Sequence, residues 1–112
     1  MKYIAIDGMF SGTGIHDEAN GGYLEPEEIG LSDELTQRLV SWLERYSAEH
    51  YDGGYPNELQ VQKLDQEGKE IAIAIYQEIP DLKMAYYSEA LLVKEELLTS
   101  ASDGSLFWLK IG

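Results

Sequence analysis

The chain has 112 residues, of which 44% are hydrophobic, and it carries a formal net charge of −13 at pH 7. This length fits one domain with a single core and is too short for two domains. The sequence contains no cysteine, which excludes disulfides, thiol catalysis and cysteine-ligated zinc sites. It has no apolar run of membrane-spanning length, and the apolar run at the N-terminus is too short for a signal peptide, so we expect a soluble cytoplasmic protein without membrane contact.

The charge is unevenly distributed along the chain. Residues 1–82 hold 17 acids and 5 bases, a net of −12, whereas residues 83–112 hold 4 acids and 3 bases. Such a surface repels nucleic acid and anionic lipid and attracts a basic partner. The alternative is that the acidic composition serves solubility alone.

The first quarter of the chain predicts one strand and a long loop. Lys2–Asp7 alternates weakly between apolar and other residues, which is typical of a strand. Gly8–Gly22 has glycine at positions 8, 12, 14, 21 and 22, and this density predicts a loop. We expect Tyr23–Ile29 to be a short edge segment or coil, because Pro26 cannot donate to a strand ladder.

Two amphipathic helices follow. Ser32 is the predicted N-cap of a helix that runs to about His50. The helix is indicated by apolar residues at helical spacing, which are Leu35, Leu39, Trp42, Leu43 and Tyr46. Asn57 is the predicted cap of a second helix that ends before Pro80. Gly68 lies on its apolar face, where we expect the first helix or a strand to cross closely.

The remaining residues predict strands. Lys83–Glu89 has an aromatic, apolar composition typical of a strand. Ala90–Thr99 fits either a helix or a strand, and the Asp-Gly turn at Asp103 favours a hairpin that returns through the segment beginning at Ser105. The chain is therefore predicted to be a single α+β domain spanning 1–112, with a small, mostly antiparallel sheet of about four strands packed against two main helices.

No residue pattern specifies a reaction or a cofactor. The glycine-rich segment lacks the Gly-Lys-Ser/Thr ending of a P-loop. His16, Asp17 and Glu18 are adjacent and cannot all converge on one metal ion without backbone strain. We therefore predict no catalytic residue, no cofactor and no metal, and we expect the protein not to be an enzyme.

The acidic helical part of the sequence resembles a known family. Gly22–Tyr46 looks like the front half of small acidic bacterial immunity proteins, and Glu67–Glu89 is similar to their second helix and following strand. These immunity proteins neutralise the toxins of contact-dependent growth inhibition and related polymorphic toxin systems. The resemblance covers about half of the chain and implies a cognate toxin domain as partner, in many such systems a basic nuclease.

The partner-binding residues cannot be transferred from the family by motif, so we predict them from charge and aromatic content. Tyrosines beside carboxylates are typical of an interface with a basic protein. The predicted set is Tyr23, Glu25, Glu27, Glu28, Asp33, Glu34, Tyr51, Asp52 and Tyr55. Before its partner binds, the protein is expected to be a monomer or a weak homodimer.

Two other functions remain open from the sequence. One is a small cytosolic ligand-binding protein or enzyme that uses the Gly8–Gly22 loop, which requires a concave pocket beneath that loop. The other is a self-associating scaffold protein.

Overall fold

The structure, a computed structural model, describes residues 2–112. Its strands are β1 (Tyr3–Asp7), β2 (Ile15–Asp17), β3 (Lys83–Ser88), β4 (Val93–Thr99) and β5 (Leu106–Lys110). Its helices are α1 (Asp33–Ala48) and α2 (Glu58–Glu78), and a 3-10 turn covers Pro26–Ile29. Neither of the two described α-helices is both long enough and apolar enough to cross a bilayer.

The sheet has five strands in the order β2-β1-β3-β4-β5. β1 and β3 are parallel, and the other three pairs are antiparallel. The predicted α+β class and mostly antiparallel sheet on two helices are confirmed, as is the hairpin formed by β4 and β5. The sheet has five strands where about four were predicted, because β2 adds an edge strand. The parallel pair is possible because both helices lie between β1 and β3 in the chain and supply the long crossover that parallel strands need.

Two predictions for the segment 8–29 are wrong. Gly8–Gly22 is not wholly a loop, because β2 pairs antiparallel with β1 and buries Ile15 in the core. Tyr23–Ile29 is an edge segment only at its start, where Tyr23 bridges His16 of β2, because Pro26–Ile29 forms a 3-10 turn instead of coil. The Glu28 carboxylate accepts a hydrogen bond from the Glu25 amide at 2.9 Å, and Pro26 suits the first position of such a turn.

Both helices pack on the same face of the sheet. Trp42 and Tyr46 of α1, fully buried, meet the apolar side of α2 and the buried strand residues. A β-carbon at Gly68 would lie 2.6 Å from Trp42 Cζ2 and 2.5 Å from Tyr86 Cε1. The glycine therefore marks the point where α1, α2 and β3 approach most closely, as its place on the apolar face predicted.

The helix starts follow the predicted capping. Ser32 Oγ accepts from the Leu35 amide at 3.3 Å, and Asn57 Oδ1 accepts from the Gln60 amide at 3.2 Å. These side chains satisfy amides that have no partner within the helix.

A buried carboxylate joins the helices to the sheet. Asp65 of α2 accepts hydrogen bonds from the hydroxyls of Tyr46 at 2.9 Å, Tyr86 at 2.6 Å and Ser88 at 2.8 Å. The Tyr46 hydroxyl also accepts from the Ala90 amide at 3.2 Å. Burial raises the pKa of Tyr46 and Tyr86, so both hydroxyls keep their protons and remain donors.

Candidate functional site

The face of the sheet opposite the helices carries a row of polar side chains. The register pairs Asp7 of β1 with Tyr87 of β3, and Tyr87 with Lys94 of β4. Ala5 of β1 pairs with His16 of β2 on the same side of the pleat. The pairing therefore gathers residues from positions 5 to 94 into one place, although they are far apart in the sequence.

These residues line a pocket of about 330 Å³, which we call the open-face pocket. Its floor includes Ala5, which is 1% exposed, and one wall includes Tyr87. The pocket has six further titratable lining residues, which are Asp7, His16, Glu18, Tyr23, Glu89 and Lys94. It lies toward the carboxyl ends of the parallel strands β1 and β3, the end of parallel strands where ligands commonly bind in open sheets.

Asp7 is the most buried charged group of the open-face pocket, with 4% of its surface exposed. Its Oδ2 accepts from the Tyr23 hydroxyl at 2.8 Å, and its Oδ1 accepts from the Met9 amide at 3.2 Å. Burial raises the pKa of Asp7, and these two hydrogen bonds offset only part of that effect. A β-carbon at Gly12 would lie 2.5 Å from Tyr23 Cε1, so a glycine at this position allows the tyrosine ring to pack here.

Lys94 and His16 of the pocket both contact the same carboxylate, that of Glu18. Glu18 Oε1 forms an ion pair with Lys94 Nζ, and Glu18 Oε2 contacts His16 Nδ1. Burial raises the pKa of Glu18, but the bonds to Lys94 and His16 outweigh it and leave the pKa lowered. Glu18 is therefore well matched with positive charge.

Asp7 and Glu89 are not matched in this way. Within residues 2–112, neither carboxylate forms an ion pair with a lysine, arginine or histidine. Burial raises the pKa of Glu89, and the nearby charge of Asp7 raises it further. The pocket therefore holds two carboxylates without a directly paired cation, and protonated His16 offsets the charge of Asp7 only from beyond ion-pair distance.

A second feature lies at the same end of the fold. The five most exposed large apolar side chains of the described residues, between 62% and 81% exposed, lie in or next to the loops that follow β1, α1 and β3. We call this group the apolar rim, and it consists of Phe10, Tyr51, Leu59, Leu91 and Leu92.

Several contacts bring these loops together. Phe10 shares a shallow depression with Ser47 and Ala48 at the end of α1. The ring of Tyr46 packs edge to face against Tyr55 of the loop between the helices, with centroids 5.5 Å apart. Its hydroxyl accepts a hydrogen bond from the Ala90 amide, next to Leu91. The loops that carry the rim residues therefore meet around the C-terminal end of α1.

The structure divides the predicted partner-binding residues among three places. The exposed carboxylates of the 3-10 turn and of the first turn of α1 lie together, at Glu25, Glu27, Glu28, Asp33 and Glu34. Tyr51, Asp52 and Tyr55 lie beyond the opposite end of α1, about 24 Å away for a helix of this length. Tyr23 belongs to neither group, because it lines the open-face pocket beside Asp7.

Of the pocket and the rim, the predicted interface included only Tyr23 and Tyr51. It missed Asp7, Tyr87 and Glu89 in the pocket and Phe10, Leu59, Leu91 and Leu92 in the rim. The signal available for Asp7 and Glu89 was their place at or just after the carboxyl ends of predicted strands. Nothing in the sequence indicated that these two strands are neighbours.

The fold and the site define an acidic α+β domain that has unmatched carboxylates in a pocket and an apolar rim at the same end. No group of three or more histidine, aspartate or glutamate residues in the described chain is placed to hold a metal ion. Comparisons with protein-family models, curated proteins and solved structures found no match for this chain. The resemblance to immunity proteins stays a prediction.

Proposed function

We propose that this protein is an immunity protein, which binds a basic toxin domain in the cytoplasm and neutralises it by direct association. A nuclease is the toxin class that best fits the charge, because an acidic protein competes with nucleic acid for a basic groove. Covering such a groove requires no chemistry from the inhibitor.

The observation that carries this proposal is the composition of the apolar rim. Phe10 is 81% exposed and Tyr51 is 70% exposed, which is a large amount of apolar surface for one end of a small domain. Asp52 and Glu58 adjoin rim residues in the chain, and neither forms an ion pair within residues 2–112. Aromatic and leucine anchors surrounded by unmatched charge of one sign suit a partner of the opposite charge.

The acidic segment at the other end of α1 has a separate part in the proposal. Its carboxylates are exposed, so their attraction for a basic domain is long-range and sensitive to salt. They raise the rate of encounter, while the rim supplies the contacts that hold the complex together.

The test uses the C-terminal domain encoded by the gene immediately upstream of the one for this protein. We expect binding by titration calorimetry at low salt, together with protection of cells that express that domain. Phe10→Ser/Tyr51→Ser should weaken binding by about tenfold or more. The matched control is Leu109→Ser, which removes a 49% exposed leucine from β5 and should leave affinity unchanged.

Charge reversal tests the acidic segment separately. Glu27→Lys/Glu28→Lys should slow association and leave dissociation nearly unchanged, as measured by stopped-flow fluorescence at two salt concentrations. An unchanged association rate removes these two residues from the steering surface. Absence of binding at low salt overturns the proposed function.

A second candidate is a small-ligand-binding protein or enzyme, and the open-face pocket favours it. His16 and Tyr23, which line the pocket, lie within or just after the glycine-rich segment, as this hypothesis requires. It predicts a rise in melting temperature with one member of a metabolite panel, lost in His16→Ala. Toxin binding without any metabolite response favours the first function.

A further inference from the structure

We infer that the open-face pocket receives the guanidinium group of an arginine side chain from the protein partner. This inference rests on the proposed function, since it names the chemistry by which a basic partner is anchored. The sequence did not indicate which residues line this pocket, and of them only Tyr23 belonged to the predicted interface.

The first argument is the charge of the pocket. Three carboxylates line it, and the positive groups among its lining residues are Lys94 and, when protonated, His16. Both of these contact Glu18, so Asp7 and Glu89 face the pocket without a directly paired counter-ion, although protonated His16 also acts on Asp7 at longer range. Desolvated negative charge without a partner is costly, and a cation entering the pocket removes that cost.

The second argument is the hydrogen-bonding capacity that remains on Asp7. A carboxylate offers about four acceptor sites, and Asp7 uses one on each oxygen, for the Met9 amide and the Tyr23 hydroxyl. Only 4% of the surface of Asp7 is exposed, yet its side chain lines the open-face pocket. The remaining acceptor sites of its two oxygens have no donor among the described residues. Within residues 2–112 the raised pKa of the Glu89 carboxylate has burial and the charge of Asp7 as its causes and no hydrogen bond, so Glu89 also has capacity for donors.

The aromatic lining of the pocket favours a guanidinium group over an ammonium group. The walls of the pocket include the aromatic rings of Tyr23 and Tyr87, and a planar guanidinium both stacks on such rings and donates through five N–H groups. An ammonium group presents three donors and no planar face. A volume of about 330 Å³ leaves room for the end of an arginine side chain.

The open-face pocket lies next to the apolar rim. The residue after Met9, whose amide binds Asp7, is the rim residue Phe10, and Glu89 is two residues before the rim residue Leu91. A partner seated on the apolar rim is therefore within side-chain reach of the pocket. A buried carboxylate beside aromatic anchors is a common site for an interfacial arginine.

The experiment is an NMR titration of the whole chain with N-acetyl-arginine amide, compared with N-acetyl-lysine amide. We expect saturable shifts centred on the Tyr23 and Tyr87 rings and on the Glu89 amide, with the arginine derivative binding more tightly. Asp7→Asn/Glu89→Gln should weaken this binding by about tenfold or more, because both substitutions keep the shape and remove the charge.

A charge-matched control separates the pocket from the general acidity of the protein. Glu70→Gln/Asp81→Asn removes two charges from exposed residues outside the pocket and should leave the titration unchanged. If the double pocket variant does not fold, Glu89→Gln alone provides the same comparison, since Glu89 is only partly buried.

The outcomes are distinguishable from those of toxin binding because the titration contains no partner. Shifts that spread over the whole acidic surface and persist in the pocket variant overturn the inference, whatever the toxin does. Equal affinity for the lysine derivative overturns the choice of guanidinium. Saturable arginine binding with no toxin association overturns the proposed function and leaves the pocket as a site for free guanidinium compounds.

Discussion

Two carboxylates of this protein are almost equally buried and have different surroundings. Asp65 is 8% exposed and lies between the helices and the sheet, where three side-chain hydroxyls donate to it. Asp7 is 4% exposed and lies on the opposite face, where it receives one hydroxyl and one backbone amide and borders a pocket. The amount of burial is similar, and Asp65 also lines a cavity, of about 240 Å³. The number and kind of donors therefore distinguish the two carboxylates.

This comparison separates a structural role from a binding role. A buried polar group that is fully hydrogen-bonded helps to specify the packing of its neighbours. A buried charge with spare acceptor sites lowers stability until a ligand binds, which is a cost that binding sites often carry. The predictions below test whether the two carboxylates differ in this way.

The largest effect is expected at Asp65. Asp65→Ala leaves the hydroxyls of Tyr46, Tyr86 and Ser88 in the core without their acceptor, and should lower the free energy of unfolding by about 3 kcal/mol or more. Urea denaturation measures this, with Glu70→Ala on the exposed side of the same helix as the control. A loss no larger than that of the control would remove the structural role assigned to Asp65.

A smaller loss is expected from Gly68→Ala. The new β-carbon would lie 2.5 Å from Tyr86 Cε1 and 2.9 Å from the Tyr86 hydroxyl, which pushes the tyrosine away from Asp65. We expect a loss of about 2 kcal/mol in urea denaturation. Gly54→Ala is the matched control, because no atom outside its immediate neighbours lies within 4 Å of the added carbon and its φ is not positive. Equal stability of the two variants would contradict the close crossing at Gly68.

Asp7→Asn should have the opposite sign and stabilise the protein by about 1 kcal/mol at neutral pH. Folding raises the pKa of Asp7, so the ionised form lowers stability at pH values above that raised pKa. As the pH falls below this raised pKa, Asp7 becomes protonated first in the folded protein and then, near the ordinary aspartate pKa, in the unfolded chain. The difference in stability between the wild type and Asp7→Asn then disappears. Thermal denaturation across a pH series measures this.

The same substitution at Asp65 is the control for Asp7→Asn. Asp65→Asn should destabilise, because three hydroxyls donate to this carboxylate and one of its two oxygens becomes an NH₂ group. In Asp7→Asn the NH₂ group faces only the Tyr23 hydroxyl, which can turn to accept. If both substitutions lower stability at neutral pH, the contrast between the two carboxylates is wrong.

The smallest effect concerns the apolar rim. Leu92 has φ 57°, a left-handed conformation that glycine adopts without strain. Leu92→Gly should stabilise by roughly 0.5 kcal/mol, since relief of strain exceeds the entropy that the new glycine adds to the unfolded chain. Leu91→Gly, at a position without positive φ, should be slightly destabilising. If Leu92→Gly stabilises the protein and also weakens toxin binding, the strained backbone at Leu92 has a role in binding.

Most of the fold could be predicted because its signals are local. The caps Ser32 and Asn57, the 3.6-residue spacing of apolar side chains and the Asp-Gly turn each act within a few residues. β2 was missed because it has three residues and adjoins a glycine, so it offers too few positions for a two-residue period to be recognised.

The site could be predicted only in part. Tyr23, Tyr51, Asp52 and Tyr55 were selected by composition, and they lie at or near the end that carries the apolar rim and the pocket. Their separation from the acidic segment at Glu27 could not be predicted, because it depends on which end of α1 each loop meets.

The sequence alone determined the charge, the two helices and their apolar faces, since these follow from residue type and spacing along the chain. Only the tertiary structure decided that β1 and β3 are parallel neighbours, which places Asp7 beside Tyr87 from positions eighty residues apart. It also decided that three hydroxyls donate to Asp65, whereas Asp7 receives one hydroxyl and one backbone amide. The physical reason is that burial and unmatched charge arise from contacts between distant segments, which no local pattern of residues encodes.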